Sequence, residues 1–213
     1  RAICRGEDPQ RSASRELSIT VAGYDYDRVQ ALIDGRVPIK GCEVDYEVGR
    51  IGDMNTHVLS GPRTHEVSEI GLLPFILAFA NDDFRDYTLL PVFPLRTFRH
   101  KSIFIRTDRG IDKPEALRGK TVATPGYSST SLTWIRGIMH HEHGIKPNEI
   151  NWVVSSKDSA SKATGGASKY ESIIPDGVTL QAGPDGKDES QLLVDGDVDA
   201  VFHAADLPAY RNG

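Results

Sequence analysis

Thr121–Gly144, TVATPGYSSTSLTWIRGIMHHEHG, holds the change of period that decides the fold. Thr121–Thr124 reads as a short strand, Pro125-Gly126 turns the chain, and a helix follows from about Ser129 to His143. Leu132, Ile135, Ile138 and Met139 recur at the helical period, and Gly144 sits where a helix takes its C-cap. Strand, tight turn and helix are the repeating unit of α/β proteins.

The same alternation runs outward in both directions. Upstream, Leu17–Ala22 reads as a strand, Asp27–Ile33 as a helix stopped at Gly35, and Cys42–Val48 as a strand with Val44, Tyr46 and Val48 on one face. Val67–Gly71 is a short strand feeding a helix that opens at Pro74. Thr88–Phe93 and His100–Arg106 are expected as two further strands. Lys113–Leu117 is a helical turn, and Arg118-Gly119-Lys120 leads into Thr121. Downstream, Asn151–Val154 and Val178–Gln181 read as strands, Glu189–Val194 as a short helix, and Val198–Phe202 as a last strand. Ser155–Ser172, rich in Ser, Ala, Gly and Lys without periodicity, reads as a surface excursion. The expected organisation is a mobile leader over 1–16, a first α/β lobe over 17–108, and a second over 109–213.

The 213 residues carry a formal charge of -5 and a 38% apolar fraction, an ordinary globular composition with room for two cores. An acidic chain without a basic stripe argues against nucleic acid as a partner. No apolar run reaches the roughly 18 residues of a membrane span; the longest, Ile70–Ala80, is broken by Pro74. Cys4 and Cys42 form no CxxC or zinc spacing, so free thiols are favoured over a disulfide. The charged leader lacks the apolar core of a secretory signal, which points to the cytoplasm; a removed signal would point to the periplasm.

Five features carry candidate chemistry. Pro91–Thr107, PVFPLRTFRHKSIFIRT, sets Arg96, Arg99, His100 and Lys101 between two strand-like apolar runs, where a bound anion or the protein's own carboxylates would neutralise them. In Thr124–Ser131, TPGYSSTS, the strand-to-helix turn around Tyr127 offers free N–H groups and the hydroxyls of Ser128, Ser129 and Thr130 to an anion, or simply an N-cap. Ala22–Arg28, AGYDYDR, places Tyr24, Asp25 and Tyr26 beyond a strand end, where α/β folds bind ligands. Glu69 stands in apolar surroundings that would raise its pKa, or it pairs with an arginine. His203 ends the last strand. The cluster HHEHG, His140–Gly144, lacks HExxH and a third ligand, so it reads as a solvated helix end rather than a metal site.

Several blocks together resemble the 4,5-dihydroxyphthalate decarboxylase family: YDYDRVQALIDGRVPIKG, VSEIGLLPFILA, PVFPLRTFRHKSIFIRTDRGI, LRGKTVATPGY, WIRGIMHHEHGI and GDVDAVFHA, in that order from Tyr24 to Ala204. The resemblance covers most of Leu17–Tyr210 apart from the Ser155–Ser172 excursion. That family is similar to the type 2 periplasmic binding proteins, so the resemblance implies two α/β lobes around a ligand cleft. Relatives continue beyond the strand ending at Phe202 and return to the first lobe, so the first lobe is expected to lack its return segment in this chain.

What the resemblance implies chemically is loss of CO2 from an aromatic dicarboxylate such as 4,5-dihydroxyphthalate, giving protocatechuate. The retained carboxylate needs cations, the phenol a base, and the ring carbon a proton. Arg96 and Arg99, with Tyr24 and the Tyr127–Thr130 turn, would hold the carboxylate. His100 or His203 would be the base, and Glu69 or Asp25 the acid. No organic cofactor motif is present and no metal ligand is assigned, although a divalent metal chelated by the catechol is compatible with the chemistry. The expected partner is a small aromatic carboxylate, and a homo-oligomer is compatible with it. The alternative function is a solute-binding protein capturing an aromatic or other organic acid for transport.

Overall fold

The computed structural model describes residues 16–160 and 173–212. The leader, but for Glu16, and the later part of the Ser155–Ser172 excursion lie outside the described residues. In chain order, β1 (Leu17–Gly23) leads through a 3-10 turn into the one-turn α1 (Gln30–Ile33), then β2 (Cys42–Val48), α2 (Ile51–Leu59), β3 (Val67–Ser68) and α3 (Leu72–Asn81). β4 (Ile103–Ile105), β5 (Thr121–Thr124), α4 (Thr130–His143), β6 (Asn151–Val154), β7 (Leu180–Ala182), α5 (Glu189–Asp195), β8 (Ala200–Phe202) and α6 (Pro208–Asn212) follow.

The strands form two sheets, one ordered β2-β1-β3 and one ordered β4-β8-β5-β6-β7. Every pairing is parallel except β4 with β8, so helices must carry the chain back across each sheet. Strand alternation then splits the second sheet into two cores. Val122, Trp152, Ala200 and Phe202 face α4, packing on Leu132, Ile135 and Met139. Their chain neighbours Ala123, Val153 and Val201 face the other way, toward Leu192 of α5 and Phe104. The helix foreseen at Ser129–His143 is α4, and Gly144 closes it in the left-handed conformation at φ 68.

Three expectations change. Thr88–Phe93 is not a strand: Pro91 and Pro94 offer no N–H to a ladder, and the chain runs irregularly to Phe98. Phe98 is 84% exposed, so the basic cluster is not wedged between buried strands. His100–Arg106 keeps only Ile103–Ile105 as strand, and β4 pairs in the second sheet rather than with the first lobe. The sheets therefore part between β3 and β4, ahead of Asp108. Helices α2 and α6 were not anticipated.

In the first lobe, α2 and α3 bury Val58, Leu59, Phe75 and Ala78 against Phe84. A cavity of about 270 Å³ between α2 and β2 is lined in part by Glu47, Asp53, His57, Thr64 and His65. The rings of His57 and His65 stack at 3.8 Å, His65 Nε2 lies 3.0 Å from Glu47, and His57 Nε2 lies 3.0 Å from Thr64 Oγ1. Burial and then the neighbouring His65 lower the His57 pKa below its ordinary 6.5, against the pull of Glu47. A histidine depressed on folding takes up its proton more readily when unfolded, so its contribution is present above 6.5 and lost as pH falls below it. Urea midpoints are therefore expected to fall less steeply from about pH 7 to pH 5 in His57→Gln than in the wild type. Parallel pH profiles would show that the stacked pair plays no part.

Candidate functional site at the facing sheet ends

The carboxyl ends of the two sheets are tied to each other by polar contacts. Leu73, in the first turn of α3, donates its N–H to Thr130 Oγ1 at the start of α4, at 2.9 Å. Pro74 fits this opening turn because its missing N–H would have no helical partner there. Arg50, just before α2, donates to the carbonyl of Ala160 beyond β6. These contacts set the segments that follow β2 and β3 beside those that follow β5 and β6, at the carboxyl ends of strands where α/β sheets bind ligands.

On the first-lobe side, the end of β1 carries a tyrosine–carboxylate cluster. Glu69 donates its N–H to the carbonyl of Ala22 at 2.8 Å, which fixes it beside the strand end. Its Oε1 accepts the Tyr26 hydroxyl at 2.9 Å, and its Oε2 accepts the Tyr24 N–H at 3.4 Å. The Tyr24 hydroxyl accepts the N–H of Ile51 at 3.0 Å, capping α2 where no N-cap side chain does so. The Tyr46 hydroxyl donates to the Tyr24 carbonyl at 2.9 Å, passing so close over Gly23 that a Cβ there would collide with it. Burial, the bond to Glu69 and its negative charge raise the Tyr26 pKa far above its usual range, so this phenol keeps its proton.

Arg99 is half-buried and lies within electrostatic reach of the Tyr26 and Tyr24 phenols. Burial lowers its pKa from the ordinary value, yet an arginine stays charged in a protein. This is the cation of the basic run that faces the cluster. Arg96 is exposed and donates to the Phe93 carbonyl at 3.4 Å.

The other sequence candidates make the following contacts. His100 is exposed and sits 3.5 Å from Glu142. Glu142 lies twelve residues along α4 from Thr130, about 18 Å from the helix start, so His100 is removed from the Tyr127–Thr130 turn. Asp25 is exposed, and its carbonyl accepts from Gln30. Tyr127 is a core residue, edge-on to Trp152 at 5.8 Å and stacked under Arg136 at 3.7 Å. Ser128 is buried. The Ser129 carbonyl accepts the Thr133 N–H, and no side chain caps α4. Thr130 binds Leu73 as above, so the turn takes part in the lobe junction. The HHEHG run stays at the helix end, where His143 bonds Glu115 at 3.1 Å.

On the second-lobe side, His203 follows β8 and is 2% exposed. Its Nε2 lies 3.2 Å from Asp158 Oδ1 and 4.0 Å from Glu189 Oε2. Burial alone would lower its pKa; the Asp158 bond, the Ala205 carbonyl and the two carboxylate charges outweigh that and raise it. Asp158 also accepts the Ala160 N–H at 2.8 Å, beside the Arg50 contact. Sequence reasoning missed Asp158 and Glu189. Tyr26 was read as a ligand candidate beyond a strand end, and Tyr46 only as part of one face of a strand.

Two curated relatives, both named 4,5-dihydroxyphthalate decarboxylase, align with this chain. The protein of Comamonas testosteroni is 34% identical over 189 residues, 88% of this chain and 55% of its own length. That of Pseudomonas putida is 30% identical over 187 residues, 88% of this chain and 70% of its own length. The chain belongs to the 4,5-dihydroxyphthalate decarboxylase family. It spans little more than half the length of the first of these relatives. Residues 86–174 also match the family model described as NMT1/THI5 like. The fold itself is α/β, with two helix-covered sheets ordered β2-β1-β3 and β4-β8-β5-β6-β7. The periplasmic aliphatic sulphonate binding protein of Escherichia coli superposes with a TM-score of 0.49 at 17% identity, covering 92% of this chain and 55% of that one.

Proposed function

We propose that this chain binds an aromatic dicarboxylate of the 4,5-dihydroxyphthalate type in the interlobe cleft and removes one carboxylate as CO2. The observation that carries the reading is the half-buried Arg99 facing the Tyr24–Tyr26–Glu69 cluster, in a chain whose curated relatives bear that name. Arg99 holds the retained carboxylate by charge-assisted hydrogen bonds. The Glu69–Tyr26 pair handles the protons. Its carboxylate draws the proton from a ring hydroxyl, pushing electrons toward the carbon that bears the leaving group. A proton then adds to that carbon, the C–C bond breaks, and the bond's electrons restore the aromatic ring as CO2 departs. One proton is taken up for each CO2 released.

Purified protein incubated with 4,5-dihydroxyphthalate is expected to release CO2 and form protocatechuate. Arg99→Ala should weaken substrate binding by more than about 1.5 kcal/mol, roughly tenfold in Kd. Arg96→Ala, at an exposed position, should leave it nearly unchanged. Tight binding with no CO2 released would replace this reading with a solute-binding protein. Unchanged affinity in a folded Arg99→Ala variant would remove Arg99 from the site.

A further inference from the structure

We propose that His203, Glu189 and Asp158 form a binding site for a first-row divalent cation such as Mn2+, on the second-lobe side of the cleft. The three side chains come from the end of β8, the start of α5 and the segment after β6, and their ligand atoms all lie within 4.8 Å of one another. In an octahedral shell with bonds of about 2.1 Å, neighbouring ligand atoms are about 3 Å apart and opposite ones about 4.2 Å. The observed 3.2 Å and 4.0 Å from His203 Nε2 to the two carboxylates fall in that range.

The surroundings resemble the supporting shell of a metal centre. His203 Nδ1 lies 2.8 Å from the Ala205 carbonyl, the outer hydrogen bond that leaves Nε2 to ligate. Ala205 N–H also approaches Nδ1 at 3.0 Å, so the ring is held in place whichever nitrogen bears the proton. Glu189 has no solvent exposure, and Ser155 Oγ, Ser159 Oγ and Ser159 N–H orient its carboxylate. A carboxylate has about four acceptor sites, so these three donors leave room for a cation.

One imidazole with two carboxylates suits oxygen-preferring and borderline ions rather than thiophilic ones. Three protein ligands leave coordination positions open, as in sites that take water or a substrate oxygen. The opening lies toward Asp158, whose side chain is 29% exposed, next to the Arg50–Ala160 contact from the first lobe. Cation binding is a property separate from the decarboxylase reading, and its test needs no substrate.

The whole chain, stripped with a chelator, is titrated with MnCl2 while electron paramagnetic resonance reports free Mn2+. One Mn2+ per chain should disappear from the free signal, and pulsed measurements should detect an imidazole nitrogen coupled to the bound ion. His203→Asn should abolish that coupling and, like Asp158→Asn, weaken binding by at least about 100-fold. Ser159→Ala, which removes an orienting donor, should weaken it about tenfold. Asp158→Asn changes the most exposed of the three ligands, so it keeps the test clear of core damage, and circular dichroism confirms the fold. No stoichiometric uptake by the wild type, uptake without nitrogen coupling, or uptake unchanged in folded Asp158→Asn would each overturn the site.

Discussion

Glu69→Gln is expected to lower kcat for dihydroxyphthalate by at least about 100-fold, the usual span for losing a positioned acid–base group, with little change in KM. The substitution keeps size and shape, and the amide oxygen can still accept the Tyr26 hydroxyl that now lies 2.9 Å from Oε1. What it removes is the capacity to take and return a proton. The amide also turns an NH2 group toward the Tyr24 N–H, a weak contact at 3.4 Å, so the structural cost is small. Tyr26→Phe is a useful companion, because it deletes the retained phenolic proton while leaving the carboxylate. Steady-state kinetics, with circular dichroism as the fold control, give the answer. A Glu69→Gln variant within about threefold of the wild-type kcat would move proton handling away from this pair.

Much of the architecture was legible because its signals are local. The strand, Pro-Gly turn and helix of Thr121–His143 announce themselves by a change of period, and Gly144 takes the left-handed cap that the sequence calls for. Helix α2 gave weaker signals. Gly52, Asn55 and Thr56 are poor helix formers and no capping side chain precedes it, although Ile51, Met54 and Val58 keep a helical spacing. The run Pro91–Thr107 misled because its apolar residues were read as strands while Pro91 and Pro94 withhold ladder donors. The candidate site was half legible. Glu69, Tyr24 and Arg99 stand at strand ends or in a basic run, features visible from one segment at a time. Asp158 and Glu189 were not, since Asp158 lies in a Ser/Gly-rich stretch without period and Glu189 looks like an ordinary acidic first-turn residue behind the Asp188 cap. Only tertiary pairing across 45 residues brings Asp158 to His203.

Trp152→Ala is expected to destabilise the protein by about 3–5 kcal/mol, the range for truncating a large buried aromatic. The indole is 1% exposed, packs edge-on against Tyr127 at 5.8 Å and Phe202 at 5.5 Å, and donates Nε1–H to the Pro147 carbonyl at 2.7 Å. Deleting it opens a cavity between the second sheet and α4 and leaves the Pro147 carbonyl without that donor. Trp152→Phe keeps most of the volume and should lose only about 1–2 kcal/mol, separating packing from the hydrogen bond. Against a total stability of about 5–15 kcal/mol, the alanine variant should unfold at far lower urea, and a loss under about 1 kcal/mol would show that this core does not rest on Trp152. The consequence reaches the cleft through geometry. Tyr127 begins the turn into α4, and the Thr130 hydroxyl three residues later holds the first turn of α3. A core that lets Tyr127 move loosens that junction, so Trp152→Phe should change substrate affinity far less than it changes stability, whereas a folded alanine variant should lose both.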